Sequence, residues 1–159
     1  MTVRVGQGYD CHRFAEGRRL VLGGIEVPHE RGLEGHSDAD VLTHAIIDAL
    51  LGAGGLGDIG EHFPDTDERY RDADSLELLR TAVGLIRAHG FEVVNVDATV
   101  VIERPRLAGF REPIRTALAG AIGIEPGRVN VKATRGEGMG FVGRQEGALA
   151  LAVASVEQP

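Results

Sequence analysis

A single cysteine, Cys11, excludes an internal disulfide and fits a reducing compartment. Tryptophan is absent and aromatic residues make up only 4% of the chain, too few for platforms on which nucleic-acid bases would stack. Positive charge is also short. The 17 Lys and Arg against 24 Asp and Glu leave a net charge of −7, with no basic run, which argues against nucleic acid as a partner. No apolar stretch reaches the ~18 residues of a membrane span. The N-terminus lacks a secretory pattern, so the expected location is the cytoplasm, with no membrane partner.

At 159 residues the chain is long enough for a real core, and the expectation is one domain over 1–159. Glycine is plentiful, 23 residues against a usual share of ~7%, implying many tight turns and close backbone approaches. Strands are expected over Val3 to Tyr9 and over Arg19 to Val27, the latter broken at Gly23-Gly24, followed by a loop from Arg31 to Gly35. A helix starts near Ser37 or Asp38 and places Val41, Leu42, Ala45, Ile46, Ala49 and Leu50 on a buried face; Gly52, Gly54 and Gly55 stop it. Leu56 to Asp67 has no periodicity and reads as a functional loop.

Asp74 with Glu77 three residues on predicts a capping box for a second helix, which runs to His89 with Gly90 after it. Phe91 to Glu103 reads as a long strand, with Val94, Val96, Ala98, Val100 and Ile102 on one face and Asn95, Asp97 and Thr99 on the other. Pro105 ends it, a helix follows from Phe110 to Ile122, and strands are expected over Arg128 to Thr134 and Ala148 to Val156. Helices and strands do not alternate cleanly. The order predicts an α+β (α/β two-layer) fold, a mixed β-sheet with helices packed on one face.

Side chains on a strand alternate, so Asp10 and His12 point one way and Cys11 the other. In the first helix Asp40, His44 and Asp48 fall at i, i+4 and i+8, on one face. One carboxylate and two imidazoles from these elements would make a three-ligand site for a borderline metal, zinc first, with a position left open. Against it stands a histidine merely packed or solvated in its helix. Lys132 to Gly138 combines two cations, a hydroxyl, an acid and free backbone amides, which suit phosphate, and Glu137 could hold a hard cation; a plain hairpin turn is the alternative. Asp58 to Asp67 carries four carboxylates that could position hydroxyls of a polyol, or could simply be solvated. His36 and Ser37 sit where a helix N-terminus would favour an anion. His29 and His89 read as structural, and Gly143 to Gly147 as a turn with an ion pair.

Gly8-Tyr9-Asp10-Cys11-His12-Arg13, His36-Ser37-Asp38-Ala39-Asp40, His44, Leu56-Gly57-Asp58-Ile59-Gly60, Phe63-Pro64-Asp65-Thr66-Asp67 and Asn130-Val131-Lys132-Ala133-Thr134 occur in this order along nearly the whole chain. Together they resemble the 2-C-methyl-D-erythritol 2,4-cyclodiphosphate synthase family of the non-mevalonate isoprenoid route. The resemblance implies a homotrimer with an active site at each subunit boundary, and a cytidine-diphosphate substrate that cyclises with release of CMP. It implies zinc on Asp10, His12 and His44, and Mg2+ or Mn2+ bridging the substrate phosphates at Glu137. His36 and Ser37 would contact phosphate or polyol. Asp58, Ile59 and Gly60, with Phe63, Pro64, Asp65, Thr66 and Asp67, would hold the methylerythritol portion. Ile102 to Ala108, Lys132, Thr134, Arg135, Gly136 and Glu137 would take the cytidine and diphosphate. Phe141, Arg144 and Glu146 match positions lining a central cavity suited to an isoprenoid diphosphate. His36, Arg135 and Glu137 are the expected catalytic residues. The family usually has a second threonine after Thr134, where this chain has Arg135, which can neutralise phosphate charge or swing into solvent.

Two rival readings are a zinc hydrolase that activates water at the open position and a non-catalytic binding protein. The first lacks a base clearly placed beside the metal residues. CMP release separates both from the cyclising enzyme.

Overall fold

The computed structural model describes residues 1–159. Strand β1 (Thr2–Ala15) runs well past Tyr9 and carries Asp10 and His12 inside the strand. β2 (Leu20–Leu22) and β3 (Ile25–Val27) form a separate hairpin, so the stretch expected as one broken strand folds back at Gly23-Gly24, both at positive φ. Within the expected 31–35 loop, β4 (Gly32–Leu33) pairs with the end of β1. Helices α1 (Val41–Gly54), α2 (Ile59–His62) and α3 (Ser75–Ala88) precede β5 (Glu92–Val101), α4 (Arg111–Ile122), β6 (Val129–Thr134), the short α5 (Gly140–Gly143) and β7 (Gly147–Gln158).

The main sheet has the order β4-β1-β7-β5-β6, with β5 and β6 parallel and the other neighbours antiparallel. It is a mixed sheet with helices on one face, as the element order predicts. Helix α1 is buried almost all round, the signature of a helix covered on both sides. It lies unusually close to β1 because Gly6 and Gly8 have no side chains. A Cβ built on Gly8 would stand 1.9 Å from the Ala45 carbonyl oxygen, and one on Gly6 2.1 Å from that of Ala49. The inner face of β7 continues this low floor with Ala148, Ala150, Ala152 and Ala154, all buried.

Local details depart from the sequence reading where tertiary contacts decide. The first helix begins at Val41, since Ala39 takes a left-handed φ of 57° and Asp40 is the N-cap, accepting from the Thr43 amide. On β5 an irregularity between Val93 and Asn95 puts Val93 inside and leaves Val94 half-buried, so Val94 does not share the inner face with Val96, Ala98 and Val100. Asp74 caps α3 through the Leu76 amide, but Glu77 pairs with Arg80 instead of closing the box. Leu56 to Asp67 is not structureless: Asp58 caps α2, and Asp67 caps a 3-10 turn over Glu68–Tyr70.

The opposite face of the sheet has no helix over it and exposes Val3, Val5, Tyr9, Leu151 and Val153. At the β6 edge, the Arg111 and Arg115 guanidinium Nε–H groups donate to the Val131 and Val129 carbonyls at 3.2 and 2.9 Å. No helix is long and apolar enough to cross a membrane.

Candidate metal centre and flanking grooves

The close seat of α1 on β1 brings His44 down onto the two polar residues that end the small-residue floor. Asp10 Oδ2 lies 2.9 Å from His12 Nε2 and 3.2 Å from His44 Nδ1. One ligand atom from each residue falls within 4.8 Å of the others. Each imidazole is oriented from behind. His12 Nδ1 donates to the Glu34 carbonyl at 2.8 Å, and His44 Nε2 stands 3.1 Å from Ser37 Oγ. The Glu34 carbonyl, which can only accept, keeps the His12 ring proton on Nδ1, and the Ser37 hydroxyl holds the His44 ring in place. His12 Nε2 and His44 Nδ1 therefore face Asp10, the arrangement typical of metal-bound histidines.

His12 Nε2 is buried without a hydrogen-bond partner despite its short distance to Asp10, since with the ring proton on Nδ1 both facing atoms are acceptors. A buried nitrogen lone pair left over in this way costs free energy unless something accepts it. Two imidazoles and a carboxylate therefore fit a divalent transition ion, with three protein ligands and an open fourth position.

Burial opposes the charge on Asp10, yet the His12 and His44 imidazoles against it outweigh burial and lower the carboxyl to about 2. For His44, burial pushes the imidazole down, but the Asp10 hydrogen bond and the charges of Asp40, Asp10 and Asp38 push it further up, and the net shift is upward. In the metal-free protein the two stabilising contributions therefore have opposite windows. That of Asp10 is present above its unfolded pKa and lost as pH falls toward about 2. That of His44 is full below its unfolded pKa and lost as pH rises through the raised one. A metal must displace the His44 proton. Metal affinity is expected to be full above that raised pKa and to fall about tenfold per pH unit below it. Metal titrations across a pH series check this, and an affinity that stays flat through the acid range would remove His44 from the ligand set.

The expected one-face trio of Asp40, His44 and Asp48 is split, and only His44 meets Asp10. Asp40 is fully buried. Its carboxylate accepts from the Gly23, Gly24 and Thr43 amides at 2.9, 2.8 and 3.0 Å and from the Thr43 and Ser75 hydroxyls at 2.7 and 2.6 Å. It thereby ties the β2–β3 turn, the start of α1 and the start of α3 to one group. Asp48 accepts from the Ile59 amide at 3.0 Å and fixes the start of α2.

A cavity of about 380 Å³ opens beside the triad. Asp10, His12, His36, Ser37 and His44 form one end, and Ile59, Gly60, Phe63, Pro64 and Asp65 line the other wall. Asp58 is not in the lining, since its side chain caps α2 through the Glu61 amide. Thr66 and Asp67 also lie outside it. The Asp67 carbonyl accepts from His36 Nε2 at 2.9 Å, while its carboxylate holds Arg69. Tyr70 and Leu78 complete the wall. Neither was visible in the sequence, because Leu78 is an ordinary member of an apolar helix face and Tyr70 is placed by its edge contact with Phe63.

Thr134 and Arg135 lie in a different groove of about 200 Å³, with Ile102, Glu103, Arg106 to Ala108 and Arg111. Lys132 projects from the helix-free face and pairs with Asp97 at 2.9 Å. Gly136 gives its amide to Glu103, and Glu137 is exposed with a left-handed φ of 55°. Phe141 borders a third hollow with Cys11, Arg13 and Glu146, and Arg144 pairs with Glu146 at 2.5 Å. Within one chain β7 and β5 separate Asp10 and His12 on β1 from Thr134 on β6, so the metal triad and the Thr134 groove do not form one site.

The YgbB family pattern matches residues 3–157. Two 2-C-methyl-D-erythritol 2,4-cyclodiphosphate synthases are similar over almost their whole lengths. That of Syntrophomonas wolfei is 58% identical, covering 98% of this chain and 99% of its own, and that of Rubrobacter xylanophilus is 60% identical, covering 98% and 95%. Among solved structures, the bifunctional IspDF of Campylobacter jejuni superposes with a TM-score of 0.96 at 42% identity, over 99% of this chain and 43% of that longer one. A synthase in its CDP-bound form superposes with a TM-score of 0.89 at 36% identity, over 97% and 100% of the two chains. The IspF of Plasmodium falciparum in a CDP complex gives 0.85 at 30%, over 98% and 96%. The low glycine-and-alanine floor, the Asp10–His12–His44 cluster above it and these full-length likenesses agree, and the chain belongs to the YgbB family of 2-C-methyl-D-erythritol 2,4-cyclodiphosphate synthases.

Proposed function

We propose that this chain, a single catalytic domain over 1–159, converts 4-diphosphocytidyl-2-C-methyl-D-erythritol 2-phosphate into 2-C-methyl-D-erythritol 2,4-cyclodiphosphate and CMP in the cytoplasm. The observation that carries this reading is the division of the site into two incomplete halves, the metal triad at β1 and α1 and the arginine-lined groove beside β6. A homotrimer built through the bare apolar sheet face would set the triad half of one subunit against the groove half of the next. The solvent-facing Val3, Val5, Tyr9, Leu151 and Val153 supply the surface such an assembly would bury. The hollow of Arg13, Phe141 and Glu146, with Arg144 paired to Glu146, would then face the trimer axis, where an isoprenoid diphosphate would meet mixed apolar and cationic groups.

An intramolecular phosphoryl transfer needs no protein nucleophile, only alignment and charge neutralisation. An oxygen of the 2-phosphate forms a bond to the β-phosphorus, the bond from that phosphorus to the bridging oxygen breaks, and CMP leaves with the electron pair. Zn2+ on Asp10, His12 and His44, and Mg2+ or Mn2+ on Glu137, would withdraw charge from the phosphate oxygens as Lewis acids. His36, steered by the Asp67 carbonyl, and Ser37 would orient the 2-phosphate. Ile59, Gly60 and the Phe63 to Asp65 wall would hold the carbon skeleton and exclude water. Thr134 and Arg135 would meet the diphosphate, with the 102–108 segment against the cytidine.

CMP release with a cyclic product, lost on metal removal and restored by zinc, is the expected result. A linear product would point to hydrolysis, and binding without turnover to a carrier; either would overturn the synthase reading.

A further inference from the structure

Glu103 belongs to the 102–108 segment set against the cytidine, but its carboxylate turns away to the neighbouring glycine-rich turn. The residue is 6% exposed and lies immediately after Ile102, whose amide donates to the Thr134 carbonyl at 2.9 Å. Its Oε2 accepts from the Gly136 amide at 2.8 Å, and its Oε1 accepts from the Gly138 amide at 3.1 Å and from Arg135 Nη2 at 3.2 Å. The turn it grips is rich in glycine and holds Glu137 in a left-handed conformation that a non-glycine residue keeps only when its surroundings impose it. Packing on the far side is equally close, since a Cβ on Gly143 would stand 2.2 Å from the Gly138 carbonyl carbon.

We propose that Glu103 is a positioning residue for this turn, and that Arg135 is locked to it so that its charge is already in place for a nucleoside diphosphate. The diphosphate part of this inference rests on the synthase reading; the clamp itself does not. Three donors converging on one buried carboxylate make a rigid anchor, whereas the same turn without it would have to be ordered by the ligand at a cost in affinity. Arg135 cannot reach out freely while one of its nitrogens is held, so it supplies charge without the entropy of a loose side chain. Burial acts against the Glu103 charge, but the two amides and the guanidinium more than offset it and keep the carboxyl below its usual range.

The test compares Glu103→Gln, Arg135→Thr and the double variant with the unaltered protein. Amide exchange at Gly136 and Gly138 is expected to quicken by about tenfold or more in Glu103→Gln, the loss of one charge-assisted bond. Exchange in β1 and α1, and metal affinity at the triad, should stay unchanged. Cytidine 5′-diphosphate binding, measured by calorimetry, should weaken by about tenfold in each single variant and by less than the product of the two in the double variant. Unchanged exchange in Glu103→Gln would overturn the clamp. Faster exchange with full nucleotide affinity would overturn its positioning role. If the unaltered protein neither binds the nucleotide nor releases CMP, the synthase reading fails instead, and the exchange data still decide the clamp.

Discussion

His44→Ala is expected to abolish metal retention and to lower CMP release by on the order of a thousandfold, the scale on which removal of one essential electrostatic element acts. Two observations set that expectation. His44 supplies one of only three ligand atoms, and it is the only one contributed by a helix, so no neighbouring group can rotate in to replace it. Asp40 and Asp48, one turn away on either side, are occupied by amides and hydroxyls elsewhere. The variant should remain folded, since alanine favours the helix and the buried imidazole brings no apolar packing that the core requires. Ser37→Ala should act more gently, weakening the metal by roughly 10–100-fold through loss of the orienting contact. Metal content by elemental analysis and CMP release together provide the check. Stoichiometric metal in His44→Ala would place the site elsewhere.

Gly8→Ala should damage the same centre without touching a ligand. The added methyl would fall 1.9 Å from the Ala45 carbonyl oxygen and 2.8 Å from the Ala49 amide nitrogen, both backbone atoms of α1 that no rotamer change can move aside. The helix must lift, carrying His44, the residue before Ala45, away from Asp10 and His12. Overpacking of this kind costs about 3 kcal/mol, which for a domain of this size lowers Tm by roughly 6–12 °C. Metal affinity should fall with it. Gly84→Ala is the contrasting case: it sits in α3 with nothing within 4 Å of the added Cβ and should stabilise by about 0.5–1 kcal/mol. If Gly8→Ala melted like the unaltered chain and held metal as tightly, the close seating of α1 would not be what forms the centre.

Much of this arrangement was legible from simple periodicities. Strand alternation alone put Asp10 and His12 on one side with Cys11 opposite, and the exposed thiol on the helix-free face agrees. The apolar spacing from Val41 to Leu50 located α1, and with it His44. What periodicity could not show were contacts between segments distant in the chain. Asp40 looked like a third member of a helix face, and its partners at Gly23, Gly24 and Ser75 appear only when three elements meet. Val94 lost its place on the inner face to an irregularity that has no mark in composition. Glu103 reads in the sequence as a strand end and as part of the 102–108 segment; its grip on the 136–138 turn does not show there, because its donors lie more than thirty residues further along. Glycines inside a strand do signal close backbone approach, so Gly6 and Gly8 were the one unread clue that pointed to the seating of α1.

The arginines along β6 bear on how copies of this chain meet. With the Val129 and Val131 carbonyls already taken by Arg115 and Arg111, that border offers little to an incoming strand. Growth by lateral extension into a ribbon is therefore blocked at this end, while the broad apolar face remains open to contact. In the proposed trimer the contacts are instead between faces stacked around an axis, an arrangement that closes on itself after a few copies and leaves nothing to propagate.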